Sequence, residues 1–221
     1  MASLSKRGNS FYDFAKRVLD VVSAIILLIL FSPIMLLTAI LIKLTSPGPI
    51  LADIPKRVGK RGKLFRIYKF RSMFVNAHQL MKTDPKYRKL YEVYKNSGYK
   101  LHDDPRVTKI GKFIRKHSID EMPQLFNVLK GDMSLVGPRA YYPDELEEQQ
   151  KKYPHTKDLV KQMLEAKPGI TGYWQVNGRS EVDFEKRIQM DAYYAQKKSL
   201  WLDFLIILKT PFVMISGKGA V

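Results

Sequence analysis

The chain has 221 residues, with 38 Lys and Arg against 21 Asp and Glu, giving a formal charge of +17. That length holds one sizeable domain plus a membrane element and excludes two full enzymatic domains. The charge calls for anionic partners, and the absence of cysteine excludes disulfides, thiolate metal sites and a cysteine nucleophile.

From Val21 to Ile42 run 22 residues without a formal charge, dense in Leu, Ile and Val. At about 1.5 Å per residue, a helix of that length reaches across a bilayer core. The run is longer than the apolar stretch of a signal peptide, and no small-x-small cleavage site precedes the next basic stretch. Two features oppose a simple span. Ser32-Pro33 sits mid-run, where proline removes a backbone donor and clashes with the preceding turn. Both flanks are also basic: Lys6, Arg7, Lys16 and Arg17 before the run, Lys43, Lys56, Arg57, Lys60, Arg61 and Lys63 after it. The positive-inside rule keeps both on the cytoplasmic side. The expectation is a re-entrant helix that breaks at Ser32-Pro33 and returns to the face it entered, with Ser32 free to bond a carbonyl released by the break. The alternative is an ordinary kinked transmembrane helix with its N-terminus outside.

Ser46-Pro47-Gly48-Pro49 then reads as a turn. Lys56 to Arg71 holds eight basic residues and no acidic one, and its later part alternates apolar and basic residues as a short extended segment does. Asn76 to Asn96 reads as a helix, with Leu80, Tyr87, Tyr91 and Tyr94 on one face. After a turn at His102-Asp103-Asp104-Pro105, helices are expected over Lys109 to Lys116 and over Glu121 to Lys130, the second ending at Gly131. Further helices are expected over Asp144 to Tyr153, Leu159 to Glu165 and Phe184 to Lys197, with a loop or hairpin between Lys167-Pro168-Gly169 and Asn177-Gly178. Leu200 to Ile215 is apolar but interrupted, as an interfacial helix or hairpin would be. The fold class is therefore mostly α with small β content (α+β). Residues 1–45 form the membrane element and 46–221 a cytoplasmic domain with interfacial amphipathic helices.

His78, His102, His117 and His155 lack ligand spacing, so no zinc site is expected, and no P-loop, dinucleotide or nucleophile-elbow pattern is present. Asp120-Glu121 follows the basic stretch holding Lys109, Lys112, Arg115 and Lys116. Asp120 could act as an N-cap, or Ser118 could close a capping box with Glu121. The other reading makes one carboxylate a nucleophile and the other a Mg²⁺ ligand, with nearby cations offsetting phosphate charge.

Several blocks occur in order: Lys16-Arg17 with Asp20, Ser32-Pro33, Tyr68-Lys69-Phe70-Arg71-Ser72-Met73, Asp104-Pro105-Arg106-Val107-Thr108, Ser118 to Leu125, Asn127 to Arg139, Lys167 to Arg179, and Asp191-Ala192-Tyr193-Tyr194. In these the chain resembles the bacterial sugar transferases, the monotopic polyprenol-phosphate phosphoglycosyl transferases, over nearly its whole length. The resemblance implies that Asp120 attacks the β-phosphorus of a UDP-sugar, releases UMP and passes the sugar phosphate to polyprenol (undecaprenyl) phosphate, with Glu121 binding Mg²⁺. It also places Lys69, Arg71, Arg139, Arg179 and Asp191 at substrate-binding positions. The family usually has a second proline after Gly-Pro-Arg, and here Ala140 stands there. The resemblance leads to the expectation of a minimal catalytic form, without the N-terminal transmembrane bundle of the family's larger members.

The resemblance thus implies a transferase of the bacterial inner membrane, facing the cytoplasm and initiating exopolysaccharide, O-antigen or glycoprotein glycan assembly. Its expected partners are UDP-sugar, polyprenol phosphate, anionic phospholipids and a second copy in a homodimer, with no nucleic acid. Asp104-Pro105-Arg106 and Lys218-Gly219-Ala220 lean towards a hexose donor. The rival readings are a tethered anionic-lipid or nucleic-acid binder and a non-catalytic scaffold, neither of which uses the carboxylate pair.

Overall fold

The computed structural model describes residues 10–96, 101, 104–178 and 182–215. The apolar run lies within one long helix, α1 (Ser10–Thr45), which continues through Pro33 without interruption. The break expected from the sequence is therefore absent. The reason is local: Pro33 can donate nothing to the Ile29 carbonyl four residues back, and the Ser32 hydroxyl donates to that carbonyl at 2.8 Å. The lost rung is replaced, and the helix carries on.

Both ends of α1 are held by the rest of the molecule. Near its start, Lys16 reaches Asp203 at 2.9 Å, and Tyr12 donates to the same carboxylate. Asp20 accepts from the Leu135 amide at 3.0 Å. Near its end, Ile42 is buried against Phe70 and Ile114, with Met35 and Ala39 packed alongside. Between them Ala24, Leu27 and Leu28 pack on Leu125 and Val128, and much of the other surface is apolar and exposed, including Ile29, Leu30, Leu36 and Leu37. α1 is long and apolar enough to cross a membrane, with a mean hydropathy of 3.0 over its best window. An exposed apolar face of this extent marks contact with lipid or another apolar partner.

Strands β1 (Arg57–Val58) and β2 (Leu64–Phe65) pair antiparallel across the Lys60–Gly62 turn. The helix expected over Asn76 to Asn96 is divided into α2 (Ala77–Thr83) and α3 (Arg88–Asn96), separated by a 3₁₀ turn at Pro85–Tyr87. Pro85 cannot extend α2, and the Asp84 side chain accepts from the Lys86 amide at 2.9 Å to start the new turn. Tyr87, Tyr91 and Tyr94 still form one packed face, joined by Met81 and Leu90 and not by Leu80.

Next come α4 (Lys109–Lys116), a 3₁₀ turn at Ile119–Glu121 and α5 (Gln124–Lys130), which stops at Gly131 with φ +85°. Then follow β3 (Ser134–Val136), α6 (Pro143–Lys152) and α7 (Lys157–Met163). Where a loop or hairpin was expected, β4 (Gly169–Thr171) pairs parallel with β3, and α8 (Tyr173–Asn177) follows directly. The approach of these strands requires glycine: a Cβ at Gly137 would stand 2.2 Å from the Lys167 carbonyl oxygen. α9 (Phe184–Lys197) and α10 (Leu200–Ile215) keep their expected bounds. The protein is thus mostly helical with little strand, as its sequence indicates.

Candidate active site

The site is assembled on an extended segment, Arg66 to Ser72, that runs beside the start of α5. Asn127, fully buried in α5, grips this segment twice: its amide donates to the Arg66 carbonyl at 2.8 Å and its oxygen accepts from the Tyr68 N–H at 2.9 Å. The Phe70 N–H then donates to the Asp120 carbonyl at 2.9 Å. Side chains alternate along an extended backbone, so Lys69 faces opposite to Tyr68 and Phe70. Lys69 points to the carboxylates and forms an ion pair with Glu121.

Asp120 and Glu121 sit in the 3₁₀ turn because Ser118 adopts φ +54°, reversing the chain as α4 ends. α4 is itself docked by its N-cap, the Thr108 side chain, which accepts from the Gly111 amide at 3.0 Å. Ser118 makes no capping bond from its side chain, and Pro123 occupies the N-cap of α5. The capping-box explanation of this acidic pair therefore fails.

Asp120 is 8 % exposed. Burial pushes its carboxyl up to about 6, against the pull of Lys69, and Glu121 adds to the rise. Burial also raises Glu121, but the Lys69 ammonium, with Arg139 and Arg57 behind it, outweighs that and holds it below the usual glutamate range. The adjacent carboxylates thus differ: burial shifts Asp120 towards its protonated form, while Lys69 keeps Glu121 ionised.

The cations are set by aromatic rings. The Arg57 guanidinium lies 3.2 Å above the Tyr142 ring, which also stacks with His78 at 5.3 Å. Arg139 lies between Tyr141 and Trp174, 5.7 and 5.6 Å from their centroids. Its backbone N–H donates to Asp191 at 3.1 Å. Asp191 is fully buried, its second oxygen has no hydrogen-bond partner among the described residues, and burial raises its carboxyl to about 7.

On the far side of the Tyr68–Phe70 segment lies an apolar groove of about 510 Å³, lined by Met35, Tyr68, Phe70, Pro123, Phe126 and Leu129 among others. Lys130 stands at this groove and donates to the Tyr68 hydroxyl at 2.8 Å. A charged face and an apolar face therefore share one backbone segment.

The family model of the bacterial sugar transferases matches residues 11–217. The chain belongs to that family. Among its relatives, the undecaprenyl-phosphate galactose phosphotransferase of Salmonella typhimurium is 45% identical over 222 residues, covering 99% of this chain and 43% of that protein. The exopolysaccharide production protein ExoY of Sinorhizobium fredii is 40% identical, covering 91% of this chain and 86% of that protein. The UDP-glucose:undecaprenyl-phosphate glucose-1-phosphate transferase of Escherichia coli K12 is 37% identical over 93% of this chain and 41% of its own length. The chain spans less than half the length of the Salmonella and Escherichia relatives.

Within this sugar transferase chain, the fold brings Lys69, Asp120, Glu121 and Arg139 to one place, with Asp191 behind Arg139. Arg71 is turned elsewhere: its guanidinium donates to the Pro49 carbonyl and to the Ser46 hydroxyl and carbonyl, holding the turn after α1. Arg179 lies outside the described residues, as do His102, Asp103 and Lys218-Gly219-Ala220. Arg106 folds back on Asp104 as a buried ion pair, so that block acts locally as a clamp. Sequence reasoning does not single out Arg57 and Tyr142. Arg57 is one of eight cations in its stretch, and only the tertiary contact with Tyr142 sets it apart.

Among the described residues, no group of three or more His, Cys, Asp or Glu could hold a metal by itself. Mg²⁺ commonly takes one or two carboxylates and completes its shell with water and substrate phosphates, so the Asp120-Glu121 pair fits that mode. The ammonium of Lys69 already presents a cation to Glu121.

Proposed function

We propose that this protein transfers a hexose 1-phosphate from a UDP-sugar to polyprenol (undecaprenyl) phosphate in two displacements through Asp120. In the first, an Asp120 carboxylate oxygen bonds to the β-phosphorus. The bond to the bridging oxygen breaks, and UMP leaves with that electron pair. In the second, a phosphate oxygen of the polyprenol carrier bonds to the same phosphorus, the aspartyl bond breaks, and the carboxylate is restored. The product is a polyprenol diphosphosugar, with no net change in the enzyme.

The observation that carries this reading is the contrast between the two carboxylates. Asp120 is only 8 % exposed and held out of water, which favours attack, while Glu121 is ion-paired with Lys69. Glu121 would hold Mg²⁺, which supplies positive charge to offset the diphosphate. Lys69 and Arg139 orient the phosphates, and Asp191 fixes the loop carrying Arg139. The groove beside Phe126 gives the polyprenyl chain an apolar place next to the reacting centre.

The same reading sets the protein at the inner membrane, with its domain in the cytoplasm and α1 re-entrant through a bend at Pro33 within the unbroken helix. Its support is that the start and the end of α1 pack on one domain. The test is UMP release from a panel of UDP-sugars with Mg²⁺ and polyprenol phosphate, together with acid-quenched mass spectrometry of the intact chain. A sugar-phosphate adduct on Asp120, lost in Asp120→Asn, is the expected result. Normal turnover by Asp120→Asn would refute the covalent route, and no UMP from any donor would refute the transferase reading.

A further inference from the structure

At the opposite end of α5 from the carboxylates lies a second cleft, of about 170 Å³, lined by Lys16, Arg17, Lys60, Ser134, Lys167 and Lys198 together with Asp13 and Asp20. Most of its charges are already engaged. Lys16 lies 2.9 Å from Asp203 and 3.8 Å from Asp20. Lys198 lies 3.5 Å from Asp13. Arg17 donates to the Val128 and Leu129 carbonyls at 2.6 and 2.8 Å, satisfying the last turn of α5.

Two cations are left over. Among the described residues, neither Lys60 nor Lys167 has a carboxylate within 4.0 Å. The Lys167 ammonium stands close to the Arg17 guanidinium, since a Cβ at Gly131 would meet them at 3.4 and 3.6 Å. Burial, then Arg17 and Lys60, hold Lys167 below the usual lysine range, against the opposing pull of Asp20 and Asp132. The Ser134 hydroxyl, in a residue only 1 % exposed, is buried with no hydrogen-bond partner among the described residues. Two cations without a carboxylate in contact and an unused hydroxyl converge on one small cavity. Nothing in the transferase reading employs them.

We propose that this cleft binds the phosphate group of an anionic phospholipid, with Lys60, Lys167 and the Ser134 hydroxyl as its donors. A phosphate ester supplies the negative charge and the acceptor oxygens that these groups lack. The cleft's surroundings choose a lipid over free phosphate. It opens at the first turns of α1, where Phe11 and Phe14 are 72 % and 69 % exposed, and near the start of α10, where Trp201 is 68 % exposed. Aromatic side chains at that level suit the boundary between headgroups and acyl chains. A phospholipid there joins the start of α1 to the domain and to α10.

The test is thermal unfolding of the full chain in nonionic detergent, with short-chain phosphatidic acid, short-chain phosphatidylcholine or inorganic phosphate at matched ionic strength. Phosphatidic acid at saturation should raise Tm by about 5 °C, and phosphatidylcholine by less than about 1 °C. Lys60→Ala combined with Lys167→Gln should abolish most of the phosphatidic acid shift. An equal shift with phosphatidylcholine, or a full shift in the double variant, overturns the site. An equal shift with inorganic phosphate overturns the lipid as its ligand. Should the double variant fail to fold, Lys60→Ala alone decides, because among the described residues the Lys60 ammonium holds no carboxylate. At least threefold weaker phosphatidic acid binding is expected, and unchanged binding overturns the proposal. None of these readouts depends on turnover, so the site and the transferase reading fail separately.

Discussion

Lys69 meets Glu121 directly and is the foremost charge lowering the Asp120 carboxyl. Lys69→Met removes that cation while keeping the length of the chain. UMP release should fall about 100-fold, the usual cost of losing one electrostatic donor at a phosphoryl or acyl centre. Lys69→Arg should recover part of it, and a variant with wild-type rates would remove Lys69 from the site. Asp191 invites a different measurement. Its folded carboxyl, at about 7, lies above its unfolded value, so the folded state holds the proton more tightly. Stability from this group is present at low pH and is lost as pH rises from about 4 through about 7, by up to about 1.4 kcal/mol per pH unit. Asp191→Asn keeps an acceptor for the Arg139 amide but cannot ionise. Melting curves should therefore show the variant gaining on wild type between about pH 5 and 7. A constant difference would contradict a buried, protonated Asp191.

Elements were legible in the sequence where local signals ruled. Gly131 ends α5 and the Asp183 side chain caps α9, accepting from the Lys186 amide at 2.8 Å. They were illegible where the deciding contact is distant. β4 exists because Gly137, Gly169 and Gly172 let two backbones meet, and the Lys167–Gly178 stretch alone shows only turn residues. Pro33 and Pro85 show opposite outcomes of one signal: Ser32 rescues the first, whereas Asp84 begins a new turn before the second. The site divides likewise. Lys69, Asp120, Glu121 and Arg139 stand in motif blocks, while Arg57 over Tyr142 depends on a contact between distant parts of the chain. Gly111 tests how α4 sets the carboxylates. A Cβ there would stand 1.9 Å from the Ser72 carbonyl oxygen, against which α4 packs. Gly111→Ala should cost about 1–3 kcal/mol of stability by forcing α4 outward. It should also slow UMP release, because Ser118 and the carboxylate turn come directly after α4. Unchanged melting would show that the contact yields freely.

For the whole molecule, the question is which side of the bilayer each end of α1 occupies. A straight helix from Ser10 to Thr45 would be about 54 Å long, more than a bilayer core requires. Yet Asp20 is tied to Leu135 of the domain, and Ile42 to Phe70 and Ile114 of the same domain. Crossing the membrane would pull one set away. Losing the first set takes the Leu135 amide from Asp20 and leaves Asp203, 6 % exposed, without the Lys16 ammonium. Uncompensated buried charge typically costs about 3–5 kcal/mol, and losing the second set would expose a packed apolar cluster instead. The basic residues on both flanks of α1 oppose translocation of either end as well. Single cysteines can be introduced into this cysteine-free chain as Ser5→Cys and Lys56→Cys, and probed with a membrane-impermeant maleimide. In sealed inside-out vesicles of the bacterial membrane both should react, and in right-side-out vesicles neither should. Reaction of Ser5→Cys only from the outer face would mean that α1 crosses, and that its contacts with Asp203 and Leu135 do not survive in the membrane.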